Sequence, residues 1–214
     1  MNAARLRGLY AVTPDTAADL CAPVSAALRG GARLVQFRNK SGPSDQRIDQ
    51  ARQLKALCAA AGALFIVNDD IELAHAIGAD GVHLGKDDVG ISAARTLLGA
   101  GAIVGASCYD SLELAAAAAA AGADYLAFGS FFPSRTKPGA VRADPTLLQT
   151  AHERFDVPLC AIGGITTMNG GALVAAGADM LAIVDGLFGA PNVEGAAAAY
   201  AALWADDRNG CTRP

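Results

Sequence analysis

The stretch Gly78-Ala79-Asp80-Gly81-Val82-His83-Leu84 carries a helix stop and, directly behind it, a short apolar strand. A glycine after an alanine-containing helical run takes the left-handed conformation that other residues disfavour, and so ends the helix. The same Gly-Ala-Asp phrase recurs at Gly122-Ala123-Asp124 and Gly177-Ala178-Asp179, with a weaker copy at Gly31-Ala32-Arg33. Working outward from these copies gives eight candidate strands: Leu9–Val12, Arg33–Phe37, Leu64–Val67, Gly81–Leu84, Ile103–Ala106, Tyr125–Phe128, Pro158–Ile162 and Met180–Val184. The four phrases stand before the second, fourth, sixth and eighth of them. Helical stretches lie between, among them Gln46–Ala61, Ile71–Ile77, Ser92–Leu98, Leu112–Ala121, Pro145–Phe155 and Gly171–Ala176, and Val193–Ala205 closes the chain. Alternation at this spacing predicts parallel strands joined by crossover helices. Its regularity suits a closed, single-domain (β/α)8 TIM barrel of the α/β class better than an open doubly wound sheet. The domain is expected to span residues 1–214, with loosely ordered ends near 1–7 and 207–214.

Composition narrows the function. The chain has 214 residues, long enough for a substantial core, and is apolar-rich (52%) with 24 glycines and 6% aromatics, which suits helices packing closely on a sheet. A formal net charge of −4 provides no field to attract nucleic acid or an anionic membrane surface. Any cations that bind phosphate must therefore be locally concentrated. Five cysteines, odd in number and without C-x-x-C spacing, read as reduced thiols of a cytoplasmic protein. The N-terminal segment lacks the apolar run and cleavage site of a secretory signal, and the longest apolar tract, around Ala115–Ala121, is too short to span a bilayer. The expected partners are small molecules rather than nucleic acid or membrane, and a homo-oligomer is compatible with the sequence.

In a barrel, all strand exits share one face, where such enzymes place their chemistry. Leu34-Val35-Gln36-Phe37-Arg38-Asn39-Lys40 is the richest exit. Alternate side chains of a strand share a face, so Gln36, Arg38 and Lys40 point one way, and two cations there suggest an anionic ligand. Solvated cations at a surface strand end are the alternative. The third strand is followed by Asn68-Asp69-Asp70 and the fourth by Asp87-Asp88; Ser107 follows the fifth. Asp69 and Asp88, near several cations, resemble a site for Mg2+ and a polyphosphate, since Mg2+ combines a few carboxylates with waters and phosphate oxygens. The alternative is that Asp69 or Asp70 caps the next helix, or that one caps while the other ligates. Gly163-Gly164, after the seventh strand, admits close approach of backbone N–H groups to a phosphate, although a tight turn would also use them. The segment Phe131–Gly139, containing Ser134-Arg135-Thr136-Lys137, reads as a lid over phosphate or as an ordinary exposed loop.

Six motifs, in order, resemble the thiamine phosphate synthase family: Gln36-x-Arg38-x-Lys40, Phe65-Ile66-Val67-Asn68-Asp69-Asp70, Asp80-Gly81-Val82-His83-Leu84-Gly85, Gly105-x-Ser107, Pro133-Ser134-x-Thr136-Lys137 and Ile162-Gly163-Gly164-Ile165. The resemblance runs from about Leu9 to Phe188. It implies a (β/α)8 barrel that joins hydroxymethylpyrimidine pyrophosphate to a thiazole phosphate and releases pyrophosphate. It further implies that Gln36, Phe37, Arg38, Asn39, Lys40, Asn68, Ser107 and Lys137 hold the pyrimidine pyrophosphate. Asp69 and Asp88 would bind Mg2+, and Ser134, Arg135, Thr136, Gly164, Val184 and Asp185 would hold the thiazole phosphate. Arg38, Lys40 and Lys137 would stabilise the leaving group. The role of His83 is open, with a hydrogen-bonded core histidine as the plainer reading.

Two positions depart from the family's pattern: Lys86 replaces a glutamine common in relatives, and Asp185 replaces a small hydroxyl residue. A carboxylate facing a phosphate at about 4 Å costs ~1 kcal/mol in water and more when desolvated. Asp185 is therefore expected to offer its backbone N–H and turn its side chain away. Two rival readings remain at this stage. A related barrel that isomerises the thiazole carboxylate phosphate would need an acid/base residue and no metal-bound pyrophosphate, which Arg38, Lys40, Asn68, Asp69 and Asp88 argue against. A non-catalytic barrel that binds a phosphorylated ligand is disfavoured by both carboxylates and Lys137.

Overall fold

All eight expected strands form, and they close in chain order into one parallel barrel. The computed structural model describes residues 5–15, 19–40, 42–85, 90–133 and 142–205. The order is β1 (Gly8–Val12), α1 (Cys21–Arg29), β2 (Leu34–Phe37), α2 (Ser44–Ala60), β3 (Leu64–Asn68), α3 (Ile71–Ile77), β4 (Gly81–Leu84), α4 (Ile91–Leu98) and β5 (Ile103–Tyr109). It continues through α5 (Leu112–Ala120), β6 (Tyr125–Phe128), α6 (Thr146–Arg154), β7 (Leu159–Ile162), α7 (Gly170–Ala175), β8 (Met180–Ile183), α8 (Asp185–Phe188) and α9 (Val193–Ala201). Two helices had no sequence signal. In α1, Pro23 reads as a breaker, yet it falls in the first turn, where backbone N–H groups have no partner inside the helix. The other, α8, is a single turn.

Because strand side chains alternate, the sheet carries two cores. Leu9, Ala11, Val35, Phe37, Phe65, Val67 and Leu126 face the helices. Tyr10, Val12, Leu34, Ile66, Tyr125 and Met180 fill the inside of the barrel. Leu6, within the end expected to be loose, is 1% exposed and belongs to that inner core. Gly105 admits one of the inner rings: a Cβ there would lie 2.0 Å from Cζ of Tyr125.

The Gly-Ala-Asp phrases hold the lower rim. Gly78 and Gly177 take φ of 62° and 106°, and the following alanines, Ala79 and Ala178, donate back to Ala74 and Leu173, closing each helix end. Each aspartate then clasps the preceding strand at two points. Asp80 donates its N–H to Phe65 O (3.0 Å) and accepts from Phe65 N (2.8 Å) through its carboxylate. Asp124 does the same with Val104, at 2.7 Å both ways, and Asp179 with Leu159, at 2.9 and 2.8 Å. Arg33 keeps only the backbone half, to Leu9 O, because its side chain has no acceptor. Asp124 is braced further by Arg95.

Removing such a carboxylate leaves a strand N–H without its charged acceptor, worth about 2 kcal/mol. Asp124→Ala is thus expected to lower the unfolding free energy by about that amount in urea denaturation. A change below about 0.5 kcal/mol would show that the clasp is dispensable.

Candidate active site

The upper rim is built from the β2 exit outward. Thr13, fully buried after β1, prolongs the ladder with its side chain: its hydroxyl accepts from Arg38 N (2.9 Å) and donates to Arg38 O (3.2 Å). Thr13 N also donates to Gln36 O at 2.9 Å. Asp15 then accepts from Lys40 N and pairs with the Arg38 guanidinium at 3.1 Å. Thr13 and Asp15 together aim the Gln36-x-Arg38-x-Lys40 row. Neither stood out in the sequence, since Thr-Pro-Asp reads as an ordinary turn.

Gln36 is buried inside the barrel and donates through Nε2 to the Tyr10 hydroxyl at 2.9 Å. Phe37 points the other way, its ring stacked on Phe65 beneath the helices, so only its backbone belongs to the rim. Asn39 lines the cavity described below, but its amide is engaged by Gln50 (3.0 Å) and by Gly42 N (2.8 Å).

The β3 exit separates the two aspartates that sequence left ambiguous. Asp70 caps α3, its Oδ1 accepting from Leu73 N at 2.8 Å, and its other oxygen pairs with Arg47. Asp69 does not cap. Its φ is +63°, uncommon for a residue with a Cβ, and Asp70 N reaches back across it to Asn68 O at 2.8 Å. Such a conformation costs of order 1–3 kcal/mol and gathers at functional sites. Here it aims the Asp69 carboxylate at Lys40 Nζ, 2.7 Å away. Asn39, Lys40, Arg47, Asn68, Asp69 and Asp70 line one open cavity of about 350 Å³. Arg47, from α2, went unnoticed because a cation in a polar helix reads as solvated surface.

Ser107 belongs to β5, which extends past its expected end at Ala106 to Tyr109, with a register irregularity between Ser107 and Tyr109 against β6. Bulges of this kind re-aim side chains next to sites. Its hydroxyl lies 2.9 Å from His83 Nε2, and His83 Nδ1 lies 2.8 Å from the Tyr125 hydroxyl. Tyr125 in turn meets Tyr10 at 2.9 Å. Burial pushes both phenols well above their ordinary pKa, so both keep their protons. His83 is thus the hydrogen-bonded core histidine of the plainer reading.

On the far side of the rim, Gly163 and Gly164 take φ of 105° and 61°, and a Cβ on Gly164 would lie 2.3 Å from Pro133 O. The glycine is therefore required by the strand-six loop stem packed against it. Val184 is half-buried, and exposed Asp185 opens α8. Asp88, Ser134, Arg135, Thr136 and Lys137 lie outside the described residues, as do Lys86 and Asp87. Among the described residues no three His, Cys, Asp or Glu side chains cluster as a metal cage, and no helix is long and apolar enough to cross a membrane.

Fold and site together define a barrel enzyme with its polar residues gathered around a charged cavity at the strand exits. The sequence model of the family described as thiamine monophosphate synthase matches residues 9–187. The thiamine-phosphate synthase of Thioalkalivibrio sulfidiphilus is 54% identical over 203 residues, covering 94% of this chain and 96% of that protein. That of Chromobacterium violaceum is 57% identical over 199 residues, covering 92% and 96%. A solved structure of thiamine phosphate pyrophosphorylase from Pyrococcus furiosus superposes with a TM-score of 0.87 at 32% identity, covering 96% of this chain and 98% of that one. The chain belongs to the thiamine monophosphate synthase family and is a transferase of thiamine biosynthesis.

The Thr13 clasp is testable without substrate. Thr13→Val keeps the shape but leaves Arg38 N and O without the hydroxyl, and is expected to cost about 1–3 kcal/mol in denaturant unfolding. Thr13→Ser is expected to stay within about 1 kcal/mol of wild type. Equal stability of the Val and Ser variants would remove Thr13 from the rim's support.

Proposed function

We propose that this chain is a thiamine phosphate synthase that couples 4-amino-2-methyl-5-hydroxymethylpyrimidine pyrophosphate with a thiazole phosphate, releasing pyrophosphate in a Mg2+-dependent, dissociative substitution. The observation that carries the reading is the cavity in which Lys40, Arg47, Asn68 and Asp69 meet, with Asp69 strained and excluded from capping. Hard oxygen donors beside cations suit Mg2+, which needs few protein ligands when phosphate supplies others. Asp69 and Asp88 would hold the ion, which when bound would supply positive charge to the departing pyrophosphate.

The remaining work falls to the chain's own side chains. Arg38 and Lys40, held by Asp15 and Asp69 in the free protein, turn to the pyrophosphate oxygens, joined by Lys137. Gln36 and Asn68 orient the pyrimidine end and Ser107 a pyrophosphate oxygen, while Ser134, Arg135, Thr136 and Gly164 hold the thiazole phosphate with the backbone at Val184 and Asp185. The C–O bond between the pyrimidine methylene and pyrophosphate breaks with its electron pair leaving on oxygen. The resulting electron-poor methylene, delocalised over the aminopyrimidine, accepts the lone pair of the thiazole nitrogen as the new C–N bond. No proton moves, so the site needs no general base.

A coupling assay with both substrates, run with Mg2+ or with EDTA, is expected to yield thiamine phosphate and pyrophosphate only with the metal. Asp69→Ala is expected to lower kcat/KM by at least ~100-fold, roughly 3 kcal/mol of transition-state stabilisation. Near-normal turnover by Asp69→Ala would take that residue out of the metal site, and no product from folded wild-type protein would refute the assignment.

A further inference from the structure

Five polar side chains inside the barrel form one continuous run of hydrogen bonds from β2 to β5. Gln36 Nε2 donates to Tyr10 (2.9 Å), and Tyr10 and Tyr125 meet through their hydroxyls (2.9 Å). Tyr125 lies 2.8 Å from His83 Nδ1, and His83 Nε2 lies 2.9 Å from Ser107 Oγ. Tyr10 and Tyr125 are at most 1% exposed. The coupling chemistry uses the two ends of this run, Gln36 and Ser107, and leaves its middle without a role.

With the Gln36 amide placed as it is, Nε2 toward Tyr10, counting protons sets the direction of the run. A phenol has one proton to give. Tyr10 receives the amide N–H of Gln36, and its other partner is Tyr125, so its proton goes there. Tyr125, having accepted from Tyr10, donates to His83 Nδ1. An imidazole that accepts at Nδ1 carries its proton on Nε2, which donates to Ser107 Oγ. That leaves the proton of Ser107 for a ligand. At the opposite end, Gln36 Oε1 makes no hydrogen bond among the described residues, which leaves its acceptor capacity for a ligand.

We propose that His83 is a positioning residue which, through Tyr125 and Tyr10, presets Gln36 as a hydrogen-bond acceptor and Ser107 as a donor at the two ends of the pyrimidine pyrophosphate site. The inference rests on the proposed function for the identity of the ligand. The chemistry selected is an N–H donor, such as an exocyclic amine, at Gln36 and an anionic oxygen at Ser107. A ligand with an oxo group in place of the amine would face Gln36 Oε1 lone pair to lone pair. Turning the amide to suit it would reverse every proton in the run, and Ser107 would then donate to His83 instead of to the anion. Recognition of the amine and of the anion is thereby coupled, and rejection of the oxo analogue exceeds what a single mismatched pair supplies.

The tautomer of His83 tests this without substrate. In 15N NMR of histidine-labelled full-length protein above pH 8, wild type is expected to carry the Nε2–H form. In Gln36→Glu, whose carboxylate cannot donate to Tyr10, the run is expected to reverse and His83 to take the Nδ1–H form. The same tautomer in both proteins, or Nδ1–H in wild type, would overturn the proposal.

Kinetics provides the second arm. His83→Phe preserves a ring against Tyr125, where the two rings now stack at 5.5 Å and 20°, but has no nitrogen. It is expected to raise KM for the pyrimidine pyrophosphate about 10–100-fold, the effect of losing one oriented donor to a charged group, while KM for the thiazole phosphate stays within about twofold. A rise in both, or in neither, would count against His83 as a positioning residue. Absence of coupling by wild type would defeat the proposed function alone, since the tautomer measurement stands without it.

Discussion

The rim chemistry depends on the register of the barrel, and register is held from below by carboxylates that bond the N–H groups of neighbouring strands. Three of the four repeated turns close a helix with glycine and then clasp the previous strand through aspartate, at Phe65, Val104 and Leu159. A shift of one residue would turn every inward side chain out. Gln36 and Ser107 would then face the helices, and Phe37 would face the barrel interior. Stability at one end of the strands is thus the condition for geometry at the other, the division of labour expected of this fold.

At the upper rim the described charges come in pairs: Arg38 with Asp15, Lys40 with Asp69, and Arg47 with Asp70. None of these pairs is deeply buried; Lys40 is 54% exposed and Asp69 25%. Partly solvated pairs contribute only about 0–1 kcal/mol each. Such weak pairs keep the cations ordered, yet a multiply charged anion can draw them away at little cost. The Asp70 pair differs, because its carboxylate also caps α3 and so keeps its place whatever binds.

Much of this was legible in the sequence, for physical reasons. The strands announced themselves as apolar runs behind glycine stops, and all eight were found, two of them with exact bounds and the others with one end off by one residue or, in β5, by three. Convergence of Lys40, Asn68 and Asp69 on one cavity follows from strand exits sharing a face. Other features were not local. Which aspartate caps α3 is decided by the backbone at Asp69, whose positive φ no spacing rule foretells. Tyr10 and Tyr125 stand 115 positions apart, each a lone polar group in an apolar strand, and they meet only because the barrel closes. Asp15 and Arg47 act through partners on other elements, and each reads in isolation as a solvated charge.

The central claim is that the rim binds pyrophosphate and metal as one unit, with Lys40 exchanging Asp69 for phosphate. Calorimetric titration of the full chain with inorganic pyrophosphate, with and without Mg2+, tests it most directly. The account predicts that Mg2+ tightens binding by at least about 10-fold, or 1.4 kcal/mol, and that Lys40→Ala weakens binding in its presence. Equal affinity with and without the metal, or binding unaffected by loss of Lys40, would contradict it.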